Sequence, residues 1–183
     1  MLLDQKRTQR IVKISAILTS IAFGGIALVA IVAIIFGGLG GSTDATKERV
    51  DQARERTQSQ PTNAAAWDQL ATAEYAAGHK AEAIAASRKA ITLAPNDFSR
   101  TQTLVRIYTQ EDQPDQAMRV VSAFIDKNPR NADAYLQLGG AAEAAGKTQV
   151  ARLAYQKFLE LDPNNPSAAQ VRDQLKTLGS GAG

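Results

Sequence analysis

The stretch that decides the fold is AAAWDQLATAEYAAGHKAEAIAASRKAITLAP, residues 64–95. It is rich in alanine, yet it holds the chain's single Trp, Trp67, and its single His, His79, and it stops on Pro95. Three origins compete for such a run: low-complexity filler, a reactive pocket around His79, or a packing rule. The spacing of the same residue types farther along the chain separates them.

Prolines stand at 61, 95, 129 and 163, and two residues after each comes Asn63, Asp97, Asn131 or Asn165. Both series step by 34 residues. The side-chain oxygen of Asn or Asp caps a helix by accepting from a first-turn N–H that has no partner within the helix. A proline stop followed by such a cap, recurring at this period, marks a helical-hairpin repeat. The expected helices are 64–77 and 80–93, then 98–110 and 114–127, then 132–145 and 148–161. Gly78 and Gly146 end theirs where a left-handed residue is easiest, and Pro114 opens its own at a position that needs no N–H. Antiparallel helices approach to about 8 Å only where the crossing side chains are small. Ala71 and Ala83, and again Gly139 and Ala151, hold such places, so the alanines are contact surfaces.

Laid over one another, Trp67, Leu70, Ala71 and Ala83 match Thr101, Leu104, Val105 and Ala117, and then Tyr135, Leu138, Gly139 and Ala151. With the prolines, these lines resemble the tetratricopeptide repeat, W-x2-L-G-x2-Y followed by A-x3-F and P, over residues 62–165. The resemblance implies an all-α solenoid of three hairpins, units 64–97, 98–131 and 132–165. Some positions depart from the pattern. Thr101 replaces the first aromatic, Glu74 takes the usual Tyr place and Ser87 replaces an aromatic, while Phe124 and Phe158 stand where a small residue is usual. A stack of hairpins leaves its last apolar face bare. Residues 166–178 are expected to cover it as a capping helix, capped by Asn165 and opened by Pro166, with Ala168, Val171, Leu175 and Leu178 as its apolar stripe. Residues 179–183 are expected to be an unstructured tail.

Upstream, residues 14–43 carry no charged side chain. Residues 14–36 are apolar and long enough to span a hydrocarbon core of about 30 Å as a helix. A cleavable signal has an apolar core of only about 7–15 residues, so an uncleaved single-pass signal-anchor is expected. Lys6, Arg7, Arg10 and Lys13 in the tail, residues 1–13, favour a cytoplasmic N-terminus with the repeats on the far side of the cell membrane. Residues 37–61 begin as a Gly-rich hinge and continue as a charged segment. There Val50 and Ala53 either pack on Trp67 as a half-repeat helix, or the segment is a free stalk.

Four of the 21 basic side chains and one of the 18 acidic ones precede residue 14, leaving the rest balanced at 17 against 17. A neutral repeat region has no basic footprint for nucleic acid. With no Cys in the chain, thiol chemistry and zinc-thiolate sites are excluded. His79 has no triad-like or metal-like company, and no phosphate-binding Gly loop follows a strand. No catalytic residue, cofactor or metal is expected, and the chain is not expected to be an enzyme.

By the resemblance, function lies in a groove along the first helices of the hairpins, where tetratricopeptide proteins hold a peptide or a partner's helix. The row is Asp68, Thr72 and Tyr75 in the first unit, Gln102, Arg106 and Thr109 in the second, and Asp133, Gln137 and Glu143 in the third. Asp68, Thr72, Thr103, Asp133 and Gln137 occupy the places where the co-chaperone type carries a basic carboxylate clamp, so that clamp is absent. Arg106 against Asp68, Asp133 and Glu143 makes the row mildly acidic, and a polar or basic peptide is the expected ligand. The layout resembles anchored bacterial envelope proteins that act as adaptors or chaperone-like scaffolds in assembly, secretion or cytochrome maturation. The alternative is a structural homodimer, with Ser20/Gly24 and Ala33/Gly37 packing the membrane helices and the repeats acting as spacer. Removing one recurring cap, Asp97→Ala, is expected to cost about 1 kcal/mol of folding stability in a urea titration, with similar losses for Asn63→Ala and Asn131→Ala.

Overall fold

The computed structural model describes residues 44–180. The expected tail 1–13, anchor 14–36, the hinge as far as residue 43 and the final residues 181–183 lie outside them. Among the described residues no helix is long and apolar enough to cross a membrane. By internal contacts the chain divides into residues 1–48 and 49–183, and the fold below concerns the second unit.

Every regular element among the described residues is a helix. The first, α1, covers 44–59, and α2 (Ala64–Ala76) with α3 (Lys80–Leu93) forms the first hairpin. The second pairs α4 (Phe98–Gln110) with α5 (Pro114–Ile125), and the third pairs α6 (Ala132–Ala144) with α7 (Thr148–Leu161). Helix α8 (Ala168–Ser180) packs on α7.

The punctuation read from the sequence acts as expected. Asn63 accepts from the Ala65 N–H, Asp97 from the Ser99 N–H and Asn131 from the Ala134 N–H, each from a β-region backbone. At Asp97 the Ser99 hydroxyl is the first cause, followed by its N–H and Arg100, that holds the carboxyl below the usual carboxylate range. A lowered folded-state pKa makes this cap's contribution complete above the ordinary Asp value, and it is lost as pH falls through the lowered one.

Helices α2 and α6 each end one residue before the expected position, at Ala76 and Ala144, and two further helices differ by more. Helix α5 ends at Ile125 rather than 127, where the chain tightens into i→i−3 bonds: the Lys127 N–H donates to the Phe124 carbonyl and the Asn128 N–H to the Ile125 carbonyl. The last helix opens at Ala168 rather than at Pro166. Asn165 Oδ1 accepts from the Ser167 N–H at 3.0 Å, a turn intervenes, and the Val171 N–H then bonds the Ser167 carbonyl. The helix also runs through Gly179 to Ser180, two positions expected from the sequence to belong to the tail.

The core forms where the hairpins cross. Ala83, Ala117 and Ala151, one per hairpin and 34 residues apart, are all 0% exposed. One turn from each crossing the hairpins solve the same steric problem with different volumes. Ala71 and Ser87 hold equivalent places in the first, Val105 and Val121 in the second, and Gly139 and Tyr155 in the third. In the third pair the fit is closest, since a Cβ on Gly139 would lie 2.3 Å from Tyr155 Cε1. Burial first, and then the hydrogen bond to Glu143, pushes the Tyr155 phenol far above its ordinary pKa.

Helix α1 is a packed half-repeat from residue 49 onward. Val50, Ala53 and Thr57 are buried at helical spacing, and Ala53 joins Leu70, Ala71 and Ala86 in one cluster with Trp67 against it. Trp67 Nε1 donates to the Pro61 carbonyl at 2.9 Å, which fixes the turn between α1 and α2.

The turns inside the hairpins share one backbone feature. Gly78 (φ +82°), Asp112 (φ +53°) and Gly146 (φ +68°) occupy the same repeat position in the left-handed region. Asp112 alone carries a Cβ there, at a cost of about 1 kcal/mol. Asp112→Gly should therefore raise the urea midpoint, while Gly78→Ala, whose new Cβ would meet no neighbouring atom, should lower stability by about 1 kcal/mol through backbone strain alone.

Candidate functional site

The faces of the first helices carry two adjoining cavities. One, of about 570 Å³, is lined by Asp68 on α2, by Ser99, Gln102, Thr103, Arg106, Thr109 and Gln110 on α4, and by Gln137 on α6. The other, of about 360 Å³, lies between α1 and α2, with Arg49, Gln52 and Arg56 facing Asp68, Gln69 and Thr72. Asp68 lines both, so the two make one groove running from α1 to α6.

Of the nine positions expected from the sequence, this groove gathers Asp68, Thr72, Gln102, Arg106, Thr109 and Gln137. The other three stand apart. Tyr75 donates its hydroxyl to Glu111 Oε1 at 2.9 Å, and Lys80 pairs with Oε2 of the same carboxylate, fastening α2 and α3 to the end of α4. Lys80 first and Tyr75 second hold Glu111 below the usual carboxylate range. Glu143 accepts from the Tyr155 hydroxyl at 3.0 Å and from the Gln174 amide, which ties α6 to α7 and α8. Asp133 is exposed on α6 and lines neither cavity.

These ties reverse the charge balance expected for the row. Of its carboxylates, Asp133 and Glu143 lie elsewhere, and Asp68 is paired by Arg100 Nη1 at 3.0 Å. Arg49, Arg56 and Arg106 are the cations of the lining, and Arg49 and Arg106 make no salt bridge among the described residues. Arg56 donates to Gln69 across the α1–α2 cavity. The groove is basic, whereas the sequence row read as mildly acidic. The residues of α1 were missed because the 34-residue period has no matching copy upstream of Pro61. Their only signal was the Val50, Ala53, Thr57 stripe inside a charged segment.

Helix α1 is held beside α2 by a buried carboxylate. Glu74, with a side chain 3% exposed, accepts from Arg54 Nη2 at 2.7 Å through Oε1 and lies 2.7 Å from His79 Nδ1 through Oε2. The lone His is half-exposed and serves as one of the two partners of this charge. Glu74 departs from the repeat's own pattern because it serves α1, which no internal hairpin has.

Family models described as tetratricopeptide repeat match residues 64–97 and 103–166. The chain carries tetratricopeptide repeats. Among curated proteins it is 34% identical over 102 residues to small glutamine-rich tetratricopeptide repeat-containing protein 2 of Mycosarcoma maydis, covering 54% of this chain and 29% of that protein. It is 30% identical over 93 residues to cellulose synthase operon protein C of Pseudomonas fluorescens (strain SBW25), covering 46% of this chain and 7% of that one. The matches thus span less than a third of either relative. Among solved structures, the crystal structure of MamA superposes with a TM-score of 0.58 at 21% identity, covering 72% of this chain and 75% of that one. The first such domain of Spaghetti (RPAP3), solved with the HSP90 peptide SRMEEVD, gives 0.53 at 22% identity, covering 65% and 92%. The repeat fold is typical of protein–protein interaction scaffolds and is generally non-enzymatic. Among the described residues no three His, Asp or Glu side chains are placed to hold a metal.

Removing one partner of a buried charge costs more than replacing the charge itself by an apolar group of like size. Arg54→Ala is therefore expected to lower stability by about 2 kcal/mol in urea unfolding, less than the loss of a fully buried partner because Arg54 is half-exposed and partly screened by water. Glu74→Met should be close to neutral in the same titration.

Proposed function

We propose that these repeats form a membrane-tethered docking platform that holds an acidic, extended segment of a partner protein along α1, α2, α4 and α6. The observation that carries this reading is the continuous groove whose one central carboxylate, Asp68, is neutralised by Arg100 while Arg49, Arg56 and Arg106 line it. Gln102 and Thr109 on α4 and Gln137 on α6 supply donors and acceptors suited to the polar backbone of an extended peptide. A peptide rich in Asp or Glu gains charge-assisted hydrogen bonds from the arginines and meets no unpaired carboxylate. The precedent at the level of fold is the Spaghetti domain, whose peptide SRMEEVD is itself acidic.

In this reading residues 14–36 are the tether and hold the platform on the extracytoplasmic side, where it serves as an adaptor in envelope assembly or secretion. The supports are the uncharged run 14–43 and the four basic residues before it.

A photo-crosslinking residue placed at Gln102 or Gln137 of the full chain in intact cells should form partner adducts, and one at exposed Arg119 on α5 should not. Arg106→Glu should reduce the Gln102 adduct about ten-fold, and raised salt should weaken it. Equal adduct yields at Gln102 and Arg119, or yields indifferent to Arg106→Glu, would remove the groove from consideration.

A further inference from the structure

A second cavity lies away from the groove, where α3, α4 and α5 meet. It has a volume of about 200 Å³, its walls are almost wholly apolar, and Ile91, Leu104, Val120 and Phe124 form them. Arg88, Pro95, Thr101, Ala123 and Lys127 complete the lining.

Its existence traces to three places where the second repeat breaks the pattern of the other two. Thr101 stands where the first and third repeats carry Trp67 and Tyr135, so the ring that would fill this junction is missing. Ala123 replaces Lys89 and Lys157, which strips a charge from the wall. Lys127 replaces Leu93 and Leu161, which sets a charge beside it instead. Thr101, Ala123 and Lys127 all line this one cavity. A stability defect would account for the lost ring, but it does not account for an apolar wall gained and a cation gained at the same spot. Arg88 and Lys127 are both exposed and neither makes a salt bridge among the described residues, although Arg88 Nη2 reaches the Tyr108 hydroxyl at 3.2 Å.

Size and charge together name the occupant. Small-molecule sites run to about 300–1,000 Å³, so a cavity of about 200 Å³ is too small for most free ligands and fits one large side chain. Two cations beside an apolar hole favour an anion next to that side chain. We propose that this cavity is a second docking point, which takes a single aromatic or large aliphatic side chain of a partner protein flanked by Asp or Glu. It is independent of the groove, since the two share no lining residue. A partner reaching both would gain from linking two weak contacts on one chain.

The test uses the full chain in detergent, with methyl NMR signals of Ile91, Leu104 and Val120 as the readout. Three capped peptides are titrated: N-acetyl-Glu-Phe-Asp-amide, N-acetyl-Gln-Phe-Asn-amide and N-acetyl-Glu-Ala-Asp-amide. The first should shift these methyls saturably, the second should bind roughly five-fold more weakly, and the third should leave them unmoved. Lys127→Leu, which restores the residue of the other repeats, should erase most of the preference for the acidic peptide. Thr101→Tyr, which restores the aromatic, should abolish binding of the Phe peptides while the thermal midpoint holds or rises, so that loss of fold cannot mimic the result. Arg106→Glu should leave all these shifts intact while it weakens the groove, so failure of either site is read separately. Methyl shifts that do not saturate, an acid preference that survives Lys127→Leu, or binding that survives Thr101→Tyr would each overturn the proposal.

Discussion

The fold depends on one steric constraint, that the two helices of each hairpin come close only if something very small stands at the crossing. Ala83, Ala117 and Ala151 meet that condition, and none of them exposes any surface. Close approach lets each hairpin bury an apolar stripe on its neighbours, which is how short helices that would be marginal alone become stable. Around this invariant crossing the rest of each interface is free to vary in volume. The third hairpin gives up a side chain at Gly139, where the Tyr155 ring takes the space, while the second uses a pair of valines.

Because the hairpins are equivalent in backbone, their differences carry the individuality of the chain. The ends of the stack need closing, and each end is closed by a different device. At the amino end Glu74 is buried and engaged by Arg54 and His79, an arrangement that fastens a half-repeat helix through charge. At the carboxyl end α8 lays Ala168 and Val171 into the cluster around Phe158, and Gln174 bonds Glu143. Between them, the second repeat has given up an aromatic ring and moved a cation, and a cavity results.

The groove shows how tertiary ties decide which charges a partner meets. A row of side chains on one helix face is a list of candidates, and neighbouring helices remove some of them. Glu143 is committed to α7 and α8, Tyr75 to Glu111, and Asp68 to Arg100. What remains facing the groove is arginine, amide and hydroxyl, a chemistry suited to an acidic peptide.

The sequence alone determined the hairpins, their period, their caps and their crossings. Each of these rests on contacts within about one repeat, and a step of 34 residues displays such contacts as recurring letters. Asn63, Asp97 and Asn131 cap where the spacing put them, and Asp112 could be recognised as a left-handed position by its alignment with Gly78 and Gly146. The tertiary structure decided whether α1 packs, which charges the groove presents, and where a cavity opens. These depend on non-repeating residues that meet across 20 or more positions, such as Arg54 with Glu74, Arg100 with Asp68, and Lys127 beside Thr101. A period cannot report a pairing that occurs once, because the partner is chosen by geometry in space rather than by distance along the chain.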